Sequence, residues 1–398
     1  MALNESSKSV LINPIVVRGV EEDHRAATPL ELFYDLVYVV AIASLAAQFH
    51  HKISDGEHVG YAILMYLWIF WCIWWPWNTY TWFASGYDTD DAQFRLASFV
   101  QMVGAIIIAV GVESAFKKEE FLVMMVGYVV MRLPYVLLWL KVARDDRRSR
   151  PIALRYAAGV FLVQVGWSLA VLFFQNWYVM GGLLVLEMLV PLAAERSVDR
   201  GRNTSYHFHH IEERLGLLTI IVLGESILAS VYAFRKMTEH YTPELATLAA
   251  GTLLILFSMW WLYFDDRVAD ELADERKAFV WGYGHYFVFA AATAVGALIS
   301  VNVDTLTDHA TISSDQAVVG LAWAIAAYLV AVWLCHDFLI EKPGLPKVEL
   351  LGLAVLVVVV AMTTRSVLLI GLTFVGLNAL RLARRHRAHL AERSGAEG

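Results

Sequence analysis

The chain has 398 residues, of which 58% are hydrophobic and 17% charged, with a mean hydropathy of +0.54 and a net charge of −7. Soluble domains run nearer roughly 45–50% apolar and about 25% charged, so a soluble fold is excluded. No Walker sequence, GxSxG elbow, dinucleotide fingerprint or HExxH order occurs, no nucleophile–base pattern is visible, and the chain is read as no enzyme.

Residues 1–28 read as a polar cytoplasmic segment without a cleavable signal peptide, because no basic region leads into a long apolar core. About 20 apolar residues cross a bilayer as a helix. Twelve stretches qualify, near 30–49, 59–84, 94–115, 120–141, 152–175, 177–195, 212–234, 244–264, 279–301, 317–340, 349–364 and 366–384. The expected fold is an all-α polytopic membrane protein with about 12 transmembrane helices, a transmembrane domain over 29–385 and a basic cytoplasmic tail over 386–398.

The first span opens with Thr28-Pro29-Leu30-Glu31, in which Thr28 suits an N-cap, Pro29 the first helical position and Glu31 the capping carboxylate. Asp35 lies one turn further in on the same face. An acid inside a span faces a partner or a cavity, so Asp35 is a candidate site residue. The second span holds Trp71, Trp74, Trp75 and Trp77, with Trp82 beyond them, read as interfacial anchors and packing, and it also holds Pro76. The fourth span carries Arg132 two residues before Pro134, which deprives the Val130 carbonyl of its helical donor. The sixth carries Glu187 four residues before Pro191. Helices broken at proline beside an ionisable group point to a polar site at mid-bilayer.

The seventh span carries Glu225 deep within an apolar run, beside Gly224 and with Ser226 and Ser230 at small-residue spacing. Arg132 is expected to pair with at least one of Glu225, Glu187 and Asp35, so that spans 1, 4, 6 and 7 meet around one polar site. His285 in the ninth span is a candidate proton relay or a satisfied core histidine. His207, His209, His210, Glu212 and Glu213 lack a metal-ligand order, and no metal is assigned. Cys72 and Cys335 belong to no CxxC pattern, and no disulfide is expected. The cofactor is left unknown.

Lys and Arg concentrate on the cytoplasmic side of membrane proteins. With the N-terminus inside, twelve spans place 24 of the 31 basic residues on the inner side, one (Arg132) within a span, and six outside: Lys52, Lys117, Lys118, Arg235, Lys236 and Arg365. Both termini are therefore expected on the cytoplasmic side.

Spans 1 and 7 align Glu31 with Glu213 and Ser44 with Ser226. The spans that follow each carry a Trp-Trp pair, then an acidic loop (Asp88, Asp90, Asp91; Asp265, Asp266, Asp270, Asp274, Glu275), then Arg95 or Arg276. This suggests parallel repeats over 29–196 and 210–385, although apolar helices also resemble one another by composition alone.

Glu31-LFYDLVYVVAIASLA together with His210-IEERLGLLTIIVLGES resembles the bacterial low temperature requirement A family, and Trp260-WLYFDD resembles the segment after its second motif. The resemblance runs over roughly residues 20–385. Tyr34 and Tyr38 stand where phenylalanine is expected. The resemblance implies a multi-span bacterial membrane protein and picks out Glu31, Asp35, Glu213, Arg214, Gly224, Glu225 and Ser226 as motif positions. It implies no reaction and no substrate.

The function expected first is a secondary transporter moving a small solute or ion with protons. Asp35, Arg132, Glu187, Glu225 and His285 would lie on its pathway. A proton or ion channel, as a homodimer, and a membrane-embedded lipid- or ligand-binding or sensing protein stay open beside it. The lipid bilayer is the expected partner, and no nucleic acid is.

Overall fold

The computed structural model describes residues 11–15, 26–174, 176–196, 204, 206–239, 242–265, 268, 272, 275–340 and 346–396. Asp266, Asp270 and Asp274, read above as loop charges, lie outside the described residues. Twelve α-helices are described: α1 (Pro29–Ser54), α2 (Val59–Tyr87), α3 (Ala92–Lys118), α4 (Leu122–Asp145), α5 (Arg150–Leu169), α6 (Trp177–Arg196), α7 (Phe208–Glu239), α8 (Pro243–Phe264), α9 (Glu275–Leu306), α10 (Ser314–Val332), α11 (Glu349–Thr364) and α12 (Val367–Ala396). Five-residue π-helical turns extend α5 over Ala170–Phe174 and α10 over Trp333–Asp337. Among the described residues there is no strand.

Eleven helices are long and apolar enough to cross a membrane. The twelfth, α11, has 16 residues, or about 24 Å of rise, against a hydrocarbon core of about 30 Å. The chain is thus an all-α polytopic membrane protein. The tail is not separate from the last span, because α12 continues as helix to Ala396. Pro76, Pro134 and Pro191 do not end their helices either. Each lies inside a continuous α2, α4 or α6, so the expected breaks are no more than missing rungs in the hydrogen-bond ladder.

The chain divides into two compact units. One is Met1–Ser44 with Trp71–Arg214, and the other is Leu45–Phe70 with Leu215–Gly398. The division differs from the two sequence halves 29–196 and 210–385, since the hairpin of Leu45–Phe70 belongs with the second unit and the start of α7 with the first. In the first unit α3 packs on α4, α4 on α5 and α5 on α6. In the second, α9 packs on α10, α10 on α11, and α8 on α12.

Two contacts show how these helices close up. A Cβ on Gly104 would stand 2.7 Å from the Gly127 carbonyl oxygen, and one on Gly127 the same distance from that of Gly104. The α3 and α4 backbones therefore touch, as small residues permit in membranes. Gly127→Leu should cost at least about 1–3 kcal/mol by overpacking, read as a lowered unfolding midpoint in detergent. In the second unit a Cβ on Gly296 would meet Ser226 Oγ at 2.5 Å, so the motif serine is a packing residue of α7 against α9.

Helix faces are sorted in the manner of a membrane protein. On α1, Leu32, Phe33, Leu36 and Val40 are exposed while Glu31, Tyr34, Asp35 and Tyr38 are buried. The polar residues face the protein and the apolar ones the surroundings. Trp71, Trp74, Trp75, Trp77 and Trp82 are all buried, which bears out the packing half of their reading and not the interfacial anchoring. They crowd against one another, with Trp71 stacked on Trp75 at 4.9 Å.

Candidate functional site: a buried ion network in the first unit

The N-terminus of α1 forms the expected capping box. Thr28 N–H donates to Glu31 Oε2 at 2.8 Å, and Glu31 N–H donates to Thr28 Oγ1 at 3.3 Å. The cap does not exhaust Glu31. Its other oxygen, Oε1, lies 3.2 Å from Arg214 Nη1 and 3.1 Å from His210 Nε2, both from the first turns of α7. His210 and Arg214 are four residues apart and share one helix face.

Asp35 completes this centre. Arg214 donates to both its oxygens, from Nη2 to Oδ1 at 2.6 Å and from Nε to Oδ2 at 3.1 Å, a bidentate pair. Trp77 Nε1 of α2 adds a third bond to Oδ1 at 2.6 Å, and the Arg214 guanidinium also lies over the Trp77 ring. Glu31, Asp35 and Arg214 are fully buried. Two carboxylates and one guanidinium away from water are costly unless mutually satisfied, so the geometry is specified tightly. Trp77→Phe removes one bond to a charged acceptor and should cost about 1.5–3 kcal/mol in unfolding free energy.

A second ion pair stands in the same unit. Arg132 Nη2 of α4 reaches Glu187 Oε1 of α6 at 2.5 Å, and its Nη1 donates to Thr79 Oγ1 of α2 at 2.8 Å. Tyr128 and Tyr135 lie one turn to either side, with the guanidinium over both rings. Trp167 Nε1 donates to the remaining Glu187 oxygen at 3.1 Å. Residues 11–15 dock at the end of α4 through Asn13 N–H to Asp91 at 2.7 Å and Ile15 N–H to Asp145 at 3.1 Å, where Lys141 also pairs with Asp91 at 3.6 Å. On α2 the two ion pairs are neighbours: Trp77 holds Asp35, and Thr79, two residues on, holds Arg132.

Tyrosine hydroxyls lie beside them. Tyr34 and Tyr38 of α1 place their hydroxyls 3.1 Å apart. Tyr38 donates to Met131 Sδ beside Arg132 at 3.2 Å, and Tyr34 to Gln101 at 3.4 Å. Tyr34 stacks on Tyr80 at 3.9 Å, and Tyr80 shares a hydrogen bond with Ser98. The two positions where phenylalanine was expected thus supply polar groups beside the two centres. Both rings are fully packed, so they line no open apolar pocket of their own.

Of the residues marked in the sequence, Asp35, Arg132 and Glu187 gather in this unit, with Arg132 on Glu187. Asp35 goes to Arg214, a residue the sequence reading marked as a motif position without pairing it. Glu225 lies in the second unit, half-exposed, with no hydrogen bond or ion pair among the described residues and with Gly224, Ile227, Leu228 and Val231 exposed around it. The contribution of α7 to the polar site is Arg214 with His210. Glu225→Gln should leave the unfolding midpoint within about 0.5 kcal/mol of the parent chain; a larger shift in a thermal melt would reveal a partner.

His285 is also in the second unit, satisfied on both nitrogens by Tyr263 OH at 3.0 Å and the Trp281 carbonyl at 2.7 Å, as a core histidine. Glu213 caps the backbone of Ala27 at 3.0 Å. Cys72 and Cys335 are free thiols.

Further buried charges were not foreseen. Glu195 accepts from Tyr156 and Tyr206 at 2.9 Å each and from Thr204 N–H at 3.1 Å. Burial, reinforced by the Glu195 charge, pushes the Tyr206 phenol well up, so it stays a donor across ordinary pH. In the second unit Arg381 reaches Asp337 and Glu349 at 3.3 Å each, Arg384 also holds Glu349, and His50, Ser54 and Tyr232 converge on Asp304.

The architecture and the network define a polytopic helical membrane protein with buried, mutually compensated charges inside its spans. The chain matches, over residues 26–382, the family described as bacterial low temperature requirement A protein, and it belongs to that family. It is 29% identical over 309 residues, 70% of this chain and 71% of the other, to an uncharacterized protein of Rhizobium meliloti (strain 1021).

Proposed function

We propose that the chain is a proton-coupled secondary transporter of the bacterial cytoplasmic membrane, with both termini in the cytoplasm. The observation that carries this reading is the ion network of the first unit. Ionisable residues buried in spans are costly and characteristically mark proton relays or substrate routes. Here two arginine–carboxylate centres stand on neighbouring residues of α2, with tyrosine hydroxyls beside them.

In this mechanism Asp35 and Glu187 are the proton-accepting groups. A proton on Asp35 cancels the charge that Arg214 holds and frees the guanidinium, leaving Glu31 as its partner. A proton on Glu187 frees Arg132 in the same way. Each step changes the charge balance of its centre: Arg214 then faces one carboxylate instead of two, and Arg132 loses its counter-charge, so the protonated and deprotonated states differ as a two-state transporter requires. The inside bias of Lys and Arg supports the orientation.

Purified protein in liposomes tests the reading. Under an imposed pH gradient a solute should accumulate in the lumen, and accumulation should collapse when the gradient is dissipated. Proton current without any coupled solute would replace the transporter by a channel.

A further inference from the structure

Arg132 also forms part of the floor of a cleft of ≈ 190 Å³ between α4 and α5. Gln164 and Ser168 are its other polar lining residues, and Leu133, Phe161 and Val165 form an apolar rim that is 40–49% exposed. The rim residues lie on two membrane-crossing helices, so the cleft opens toward the lipid chains.

Two polar positions there are unfilled. Gln164 is only 7% exposed, and its Oε1 is buried without a hydrogen-bond partner, while its Nε2 makes only a long 3.4 Å contact to Ser168 Oγ. Arg132 uses Nη1 and Nη2 on Thr79 and Glu187, and its Nε–H makes no hydrogen bond among the described residues. A buried amide oxygen without a partner is costly. Just past Ser168 the helix passes into the π-helical turn Ala170–Phe174, a local widening that is common at functional sites.

We propose that this cleft binds an uncharged amphiphile with a hydroxyl head and an acyl chain, of the monoacylglycerol kind, entering from the bilayer. The charge balance selects the head. Arg132 is already neutralised by Glu187, so an anionic head would leave an uncompensated negative charge in a low-dielectric site, and a cationic head an uncompensated positive one. A hydroxyl can donate to the Gln164 oxygen and accept from Arg132 Nε–H, and it serves equally well if the amide is turned over. At about 30 Å³ for a water-sized group, the cleft holds roughly six such groups, enough for the three carbons and three oxygens of a glyceryl head, with the acyl chain lying outside along the apolar rim. Binding of this kind stands apart from the transport reading and needs no proton movement.

The test uses the full chain in nanodiscs with a monoacylglycerol carrying a photoactivatable diazirine in its acyl chain, followed by mass spectrometry of labelled peptides. Labelling should concentrate on the α4 and α5 peptides holding Leu133, Phe161 and Val165, and excess unlabelled monoacylglycerol should displace it. Gln164→Leu should weaken labelling about tenfold, the effect of one hydrogen bond. Val165→Trp, at an exposed rim position where folding is undisturbed, should abolish it by filling the cleft. The corresponding fatty-acid methyl ester, which lacks a hydroxyl, should not label. Even labelling of all exposed helix faces, unchanged labelling in both variants, or stronger labelling by a lysophosphatidic acid or methyl ester probe would overturn the proposal.

Discussion

Arg214→Leu is expected to remove folded protein almost entirely. The substitution leaves Glu31 and Asp35 buried together with no guanidinium between them, where Arg214 now makes three contacts of 2.6–3.2 Å. Breaking one buried pair costs about 3–5 kcal/mol, and here two carboxylates lose the same partner. Total stabilities of about 5–15 kcal/mol do not absorb such a loss comfortably. Size-exclusion profiles should lose the monodisperse peak. The companion triple variant Arg214→Leu/Glu31→Gln/Asp35→Asn removes every charge at once, and isosteric neutral groups can replace a buried ion cluster at little cost. The peak should return in it. An Arg214→Leu protein that melts with the parent chain would show that the cluster is not held as described.

The second large effect belongs to the second pair. Arg132→Leu and Glu187→Leu should each destabilise by about 3–5 kcal/mol, since either leaves its partner charged and buried. The double variant should lose well under the sum of the single losses, because neither charge is left stranded. A double-mutant cycle on unfolding midpoints measures this directly. Additive losses would mean that the 2.5 Å contact between Arg132 and Glu187 contributes no coupling.

Much of this was legible in the sequence because lipid and water leave strong marks. Twelve apolar stretches became twelve helices, with ends displaced by a few residues. The face of α1 carrying Glu31, Tyr34, Asp35 and Tyr38 follows from helical spacing, and Arg132 with Glu187 from the cost of intramembrane charge. The identity of the α7 partner was not legible in the same way. Arg214 reads as the last residue of a basic loop cluster until the helix is known to start at Phe208; only then do His210 and Arg214 fall on one face. Glu225 misleads for a different reason. Lipid tails are as apolar as a leucine core, so the residues around Glu225 look alike whether α7 turns them inward or outward. Helical periodicity cannot choose the face. The tryptophans of α2 illustrate the same ambiguity, since a ring suited to the interface is equally suited to a crowded interior.

The buried network also changes where a proton-coupled mechanism must be sought. Depth alone favoured Glu225. Geometry favours the carboxylates that an arginine can hold or release, and Tyr34 and Tyr38 give these two centres hydroxyl neighbours that phenylalanine would not.

The most direct test of the central claim is solute-dependent proton movement in proteoliposomes carrying a lumenal pH dye, comparing the parent chain with the folded triple variant Arg214→Leu/Glu31→Gln/Asp35→Asn. The account predicts a lumenal pH change with a transported solute in the parent chain and none in the variant. Equal proton movement in both would contradict it.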